Sequence, residues 1–166
     1  MIVGHGDIAS VLGEVDKPNL LFFASGVSNS KEVLDSAYQR EIDLLMKQDF
    51  SKHIVYFSSL SIFYNNNRYT MHKIQMERTI REYFHKWTII RIGNITWGKN
   101  PHTIINFFRN KIKNNQPIEV RDEYRYVVEL DEFLHWLKLI PTWSCEMNIP
   151  GRRMLVSQIL NEYGYN

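Results

Sequence analysis

Little in the bulk composition of this chain narrows its chemistry. A single cysteine, Cys145, among 166 residues excludes an internal disulfide and fits a reducing compartment, where a lone thiol is by default a small buried hydrophobe. Net charge is almost absent: 20 Lys and Arg stand against 18 Asp and Glu, a formal +2. That imbalance implies no polyanionic partner, so neither nucleic acid nor an anionic membrane surface is expected. No run of about 18 apolar residues occurs, and Met1-Ile2-Val3 is too short to open a signal peptide. The expectation is a soluble, cytoplasmic protein without a metal site. Repeats are absent too, and the length suits one domain with a real core but not two.

What the chain does have is concentrated between His53 and Lys73, HIVYFSSLSIFYNNNRYTMHK. His53 to Phe57 is β-branched and aromatic, the composition of a buried strand. It stops at Ser58-Ser59, where a strand of an α/β protein meets its ligand crevice. Asn65-Asn66-Asn67 make a turn, and the helix that follows puts Tyr69 and Lys73 one turn apart on one face. That spacing has a chemical use. A tyrosine hydroxyl titrates near ~10 when unperturbed, so general acid/base work at neutral pH needs a lowered pKa, which a nearby ammonium provides by stabilising the phenolate. The same pair at the same spacing also occurs on solvated helix faces that do no chemistry.

A strand-end serine followed by Tyr-x-x-x-Lys resembles the active site of the short-chain dehydrogenase/reductase superfamily. The nearer resemblance is to its extended branch, the NAD(P)-dependent epimerases and dehydratases of nucleotide sugars. It implies that Tyr69 transfers the proton, that Lys73 stands beside it and holds the cofactor ribose, and that a serine hydroxyl fixes the substrate oxygen. The family pattern S-S-x-S-V-Y-G places that serine four residues before its tyrosine. With Phe63 in the tyrosine's place, Ser58-Ser59-Leu60-Ser61-Ile62-Phe63 matches without a gap and Ser59 is catalytic. With Tyr64 there instead, the slot falls on Leu60; Ser61 remains a second hydroxyl for the substrate. His72 is read as a surface helix histidine in preference to a proton relay.

Two further segments carry the resemblance. Met1 to Ala9, MIVGHGDIA, reads as a short strand running into G-x-G-x-x-A. There Gly4, Gly6 and Ile8 would meet a pyrophosphate at the start of a helix expected over residues 8–14, and a plain glycine turn would look the same. Asp7 sets a negative charge close to where the phosphates would lie. Arg91 to Gly98, RIGNITWG, is similar to the family's R-P-G-N-V-Y-G, a loop that passes the nicotinamide and opens the substrate pocket. Gly93, Asn94 and Ile95 are therefore implied cofactor contacts, and Asn94 a substrate contact as well. Between these segments, Leu20 to Phe23 with Ala24-Ser25-Gly26 resembles the family's fourth strand and its small-residue loop against the cofactor. Ser28 or Ser30 then caps a helix over about 31–48, with Leu34, Tyr38, Ile42 and Leu45 as its core stripe.

One part of the family pattern is missing. After the first helix there should be two more strands and a charged residue about 20 positions on that reads the adenosine ribose. Here Val15 to Asn19 leads directly to the next strand, and neither Asp16 nor Lys17 has that spacing. Strands two and three are expected to be absent, which puts the first strand at the sheet edge. An exposed edge invites pairing, so a homodimer, or a hetero-partner completing the cofactor site, is expected.

The remainder is a shortened substrate side. Ile104, Ile105, Phe108 and Ile112 mark an amphipathic helix whose Arg109, Lys111 and Lys113 form a solvated edge. Pro117 to Val120 and Arg125 to Glu132 resemble the family's P-I-x-V and R-D-F-V-H-V-D-D. The arginine there holds a nucleotide-sugar diphosphate, so Arg125 is a substrate candidate, and a rim salt bridge to Glu123 or Glu129 is the competing reading. The fold expected is α/β: a reduced Rossmann-like, mainly parallel sheet with helices on both faces. Residues 1–100 would form the cofactor-binding part and 101–166 the compressed substrate part of one domain. The implied function is an NAD(P)-dependent reductase, epimerase or dehydratase of a nucleotide sugar in surface polysaccharide synthesis. The alternative is a non-catalytic relative, a scaffold or regulatory subunit that has lost cofactor affinity.

Overall fold

Strands that are apolar on every residue need cover on both faces. The structure, a computed structural model, describes residues 1–165. In chain order the strands are β1 (Ile2–Val3), β2 (Leu20–Phe23), β3 (His53–Ser59), β4 (Lys86–Ile92), β5 (Asn94–Ile95), β6 (Tyr124–Val128), β7 (Cys145–Ile149) and β8 (Arg152–Leu155). The main sheet has the order β1-β2-β3-β4-β7 with every neighbouring pair parallel. A second sheet, β5-β6-β8, begins one residue after β4, at Asn94.

The helices are α1 (Asp35–Leu45), α2 (Arg68–Tyr83), α3 (Ile104–Lys113), α4 (Leu130–Lys138) and α5 (Val156–Ile159), which runs on as a π-helical turn, Leu160–Gly164. Alternation along the strands sorts the core into two halves. Phe22, Val55, Phe57 and Ile90 point to one side and pack with Phe133, Leu134 and Leu137 of α4. Leu21, Phe23, Ile54, Tyr56 and Ile89 point to the other and pack with Leu45 of α1 and Met76 and Ile80 of α2. Each of those faces is dry, which is why the strand runs show no polar alternation.

The expected absence of strands two and three holds. Strand β1 pairs with β2 alone, through Ile2 with Phe22 and Val3 with Phe23, and so lies at the sheet edge. Three expectations are corrected. The segment after the glycine loop is a short 3-10 helix of two turns, Ala9–Glu14, and not an α-helix, so no helix dipole of useful length stands behind the glycines. Helix α1 begins at Asp35 and ends at Leu45, shorter than 31–48, because the Glu32 carboxylate holds the N–H groups of Val33 and Leu34 in a turn before it. Leu34, expected in the core, is 61% exposed.

Arg91, at the end of β4, has a structural task. Its Nε and Nη2 donate to both oxygens of Glu77 on α2, at 2.9 and 2.6 Å, and its Nη1 meets Glu146 on β7 at 2.7 Å. A two-pronged guanidinium–carboxylate pair of this kind fixes angle as well as distance. It locks α2 over the end of β4, and α2 carries the Tyr-x-x-x-Lys motif.

Candidate active site

The C-terminal ends of the parallel strands open into a cleft of about 840 Å3, within the ~300–1,000 Å3 of small-molecule sites. Gly6, Asp7 and Ile8 line it after β1; Ala24, Ser25 and Gly26 after β2; Ser59 and Ser61 after β3; Tyr69 and Lys73 from α2; Gly93, Asn94 and Ile95 after β4; and Arg125 from β6. All the residues singled out in the sequence thus meet at one place, except Gly4. Gly4 adopts φ +127°, and a side chain there would collide with the Ala24 carbonyl, so it serves the packing of the two loops and not the cleft wall. Gly6 is the opposite case. A β-carbon on it would meet nothing within 4 Å, so no protein contact requires glycine there and the open side faces the cleft.

Asp7 borders the cleft, but its carboxylate is engaged by the protein. Its carboxylate accepts the backbone N–H groups of Lys99 and Asn100 at 2.9 and 2.8 Å, and its carbonyl accepts from Trp97 Nε1. The charge is therefore spent on tying the glycine loop to the loop after β5. Arg40 of α1, which the sequence reading passed over, lines the same end of the cleft and donates to the hydroxyl and carbonyl of Ser25. Among the described residues no carboxylate pairs with it.

Helix α2 starts where Asn67 and Thr70 cap each other: Asn67 Oδ1 accepts the Thr70 N–H, and Thr70 Oγ1 accepts the Asn67 N–H, both at 3.0 Å. A reciprocal cap of this type is worth ~1 kcal/mol and holds the first turn, where Tyr69 sits. The Tyr69 hydroxyl makes no hydrogen bond among the described residues, and the Lys73 ammonium lies 5.7 Å from the centre of its ring. Ser59 caps the 3-10 turn Leu60–Phe63 by accepting the Ser61 N–H at 3.2 Å, and the Ser59 and Ser61 hydroxyls lie 2.8 Å apart. One of them donates to the other, so the two act on the cleft as a coupled pair.

Behind Lys73 is a residue that the sequence reading missed. Glu41 of α1 is fully buried. Its Oε1 accepts from the Tyr56 hydroxyl at 2.8 Å and from Lys73 Nζ at 3.5 Å; its Oε2 accepts from the Val27 N–H at 2.7 Å and pairs with His72 Nε2 at 2.9 Å. Lys73 Nζ also donates to the Tyr56 hydroxyl at 3.1 Å. His72 is therefore not a surface residue: it is 6% exposed, with the Tyr38 ring edge-on at 4.8 Å. The clue was available. Tyr38, Glu41 and Leu45 share one stripe of α1 at spacings of three and four, which puts an acid on an apolar face.

Burial pushes the Glu41 carboxyl up, but the Lys73 charge and the hydrogen bonds from His72 and Val27 outweigh it, and the carboxyl falls from 4.5 to about 2. Burial, with the Glu41 charge beside it, keeps the Tyr56 phenol well above the usual range and hence neutral. A lowered acid stabilises the fold above its unfolded value of 4.5, and that stabilisation is lost as pH falls through the folded value. Between 4.5 and about 2, at ~1.4 kcal/mol per pH unit, about 3 kcal/mol is at stake. Urea denaturation at stepped pH should show stability falling through this window, and Glu41→Gln should flatten that part of the curve.

On the far wall, Asn94 donates from Nδ2 to the Tyr126 carbonyl at 2.9 Å, which ties β5 to β6 and aligns the loop. Arg125 makes the rim salt bridge: its Nη2 reaches Glu123 at 2.7 Å and its Nη1 the Tyr124 carbonyl, while the side chain still borders the cleft.

No family model matches the sequence, and no curated protein matches it. Among solved structures it is similar to the Bordetella bronchiseptica enzyme WbmG in complex with NAD, at 14% identity and a TM-score of 0.66 over 89% of this chain and 56% of that one. It is also similar to the capsular polysaccharide assembling protein CapF from Staphylococcus aureus, at 20% identity and a TM-score of 0.59 over 93% of this chain and 46% of that one. Thermus thermophilus UDP-glucose 4-epimerase, solved with NAD, matches at 17% identity and a TM-score of 0.62 over 87% of this chain and 60% of that one. The chain shares the α/β, Rossmann-like fold of these structures in shortened form. The chain spans roughly half of the length of these structures, from 46% to 60%. In this shortened fold the parallel sheet, helix α2 and the cleft at the strand ends are all present. No helix among the described residues is long and apolar enough to cross a membrane.

Proposed function

We propose that this chain is an NAD(P)-dependent reductase, epimerase or dehydratase acting on a nucleotide sugar, of the kind used in surface polysaccharide synthesis. The observation that carries the reading is the convergence of Ser59, Tyr69 and Lys73 with Gly6 and Asn94 on one cleft at the ends of parallel strands. The residues fit a dinucleotide in part. Gly6 leaves open space at the glycine loop, and Arg40 offers a cation beside Ser25 with no carboxylate partner among the described residues, where strands two and three, which would wall the adenosine side, are also absent.

A nicotinamide bound there supplies hydride exchange with a substrate carbon. The chain's own part is proton handling and positioning. Tyr69, whose hydroxyl is uncommitted, gives or takes the proton at the substrate oxygen. Ser59, coupled to Ser61, holds that oxygen by a hydrogen bond. Lys73 presents a positive charge beside Tyr69 and an N–H to a ribose hydroxyl, and Arg125 and Asn94 face the sugar-nucleotide side.

A second reading has its own support. The missing strands, and a short 3-10 helix where a dipole-bearing α-helix would cradle the pyrophosphate, favour a scaffold or regulatory subunit whose dinucleotide site is completed by a second copy or another chain. Calorimetric titration with NADH and with NADPH, with the oligomeric state recorded in the same buffer, separates the two. Micromolar binding of either is the expected result. Silence up to millimolar concentration overturns the stand-alone enzyme and leaves the scaffold.

A further inference from the structure

Glu41 is at the centre of the polar cluster behind the cleft and does not itself line the cleft. A carboxylate has about four acceptor sites, and the four contacts of Glu41, from Tyr56, Lys73, Val27 and His72, occupy them. It is thus immobilised from α1, α2, β3 and the loop after β2 together. The Lys73 ammonium has three N–H groups. Two go to Glu41 and the Tyr56 hydroxyl, and the third is left on a side chain that lines the cleft while only 3% exposed.

Gly26 completes the arrangement. A β-carbon there would stand 2.6 Å from Lys73 Nζ and 2.9 Å from Glu41 Oε1, so the loop closes over the pair only because residue 26 has no side chain. A lysine stem is otherwise among the most mobile side chains, and fixing it on ligand binding costs affinity.

We propose that Glu41, locked in turn by His72, is the positioning residue of this site: it holds the Lys73 ammonium in place before any ligand arrives, so that its one remaining N–H meets a vicinal hydroxyl pair such as the ribose diol of a dinucleotide. The functional half of this inference rests on the dinucleotide reading above; the positional half does not.

The test uses the full chain with 15N-labelled lysine. At pH 6 and low temperature, wild type should show an ammonium resonance protected from solvent exchange, assigned by its loss in Lys73→Arg. Glu41→Gln preserves shape but replaces an acceptor by an NH2 group, so it cannot satisfy all four donors. It is expected to lose the protected signal and to raise the Kd for NADH or NADPH about tenfold. His72→Gln keeps a donor towards Glu41 and should keep the signal, which a merely structural role would not distinguish from Glu41→Gln. Should Glu41→Gln fail to fold, Gly26→Ala drives the same two groups apart and should abolish the same resonance. A protected Lys73 signal persisting in folded Glu41→Gln or Gly26→Ala would overturn the proposal. So would an unchanged Kd in either variant. Wild type that binds neither dinucleotide would defeat the enzyme reading, and the ammonium signal would then decide the positioning by itself.

Discussion

Methionine in place of Lys73 is expected to cost about 3–5 kcal/mol of folding stability, in addition to any loss of turnover. The reason lies behind the cleft and not in it. Among the described residues Lys73 is the only side chain of fixed positive charge in contact with Glu41, and Glu41 has no access to water. Removing the ammonium leaves a buried carboxylate whose remaining side-chain partners are His72 and the neutral Tyr56 hydroxyl, and an uncompensated buried charge is among the most expensive defects a core can carry. The urea midpoint should fall at an unchanged denaturant slope. Pairing the change with Glu41→Leu should restore only part of the loss, since the buried charge is gone but the Tyr56 hydroxyl, His72 Nε2 and the Val27 N–H lose their acceptor. A single variant with less than ~1 kcal/mol of destabilisation would mean that His72 alone neutralises the acid. The practical consequence is that inactivity of a Lys73 variant says nothing about catalysis until its fold has been checked.

Phenylalanine at position 69 should behave in the opposite way. Among the described residues the Tyr69 hydroxyl has no hydrogen-bond partner, and the ring is kept by the substitution, so stability should stay within about 0.5 kcal/mol of wild type. Turnover of a nucleotide sugar should fall by ~10^2–10^4-fold, the contribution of a positioned general acid or base. Thermal melts and steady-state assays on the same preparation read both quantities. A variant that is stable and equally active would remove Tyr69 from the chemistry, and identical behaviour in every assay would favour the scaffold.

The contrast between these two residues shows what could be read from the chain. Tyr69 and Lys73, four apart after an Asn turn and a serine-ended apolar run, were legible because helix periodicity alone places them on one face. The loss of two strands was legible because Val15 to Asn19 leaves no room for them. Glu41 was legible only as an acid on an apolar stripe; that it meets Lys73 was not, since four contacts from three separate segments hold it there, and no local pattern encodes distance across a fold. His72 was misread for the same reason: its neighbour in space is α1, 31 residues earlier. The start of α1 at Asp35 and the engagement of Asp7 by a loop more than 90 residues later likewise arise from carboxylates meeting backbone N–H groups.

The sequence by itself therefore determined the order and type of the main elements, through strand composition and helical spacing, and the identity of the groups that line the cleft, through short motifs whose geometry is local. Only the tertiary structure decided which charges are free to act. Packing α1 against α2 buries Glu41, burial demands that its charge be paired, and that demand fixes where the Lys73 ammonium points.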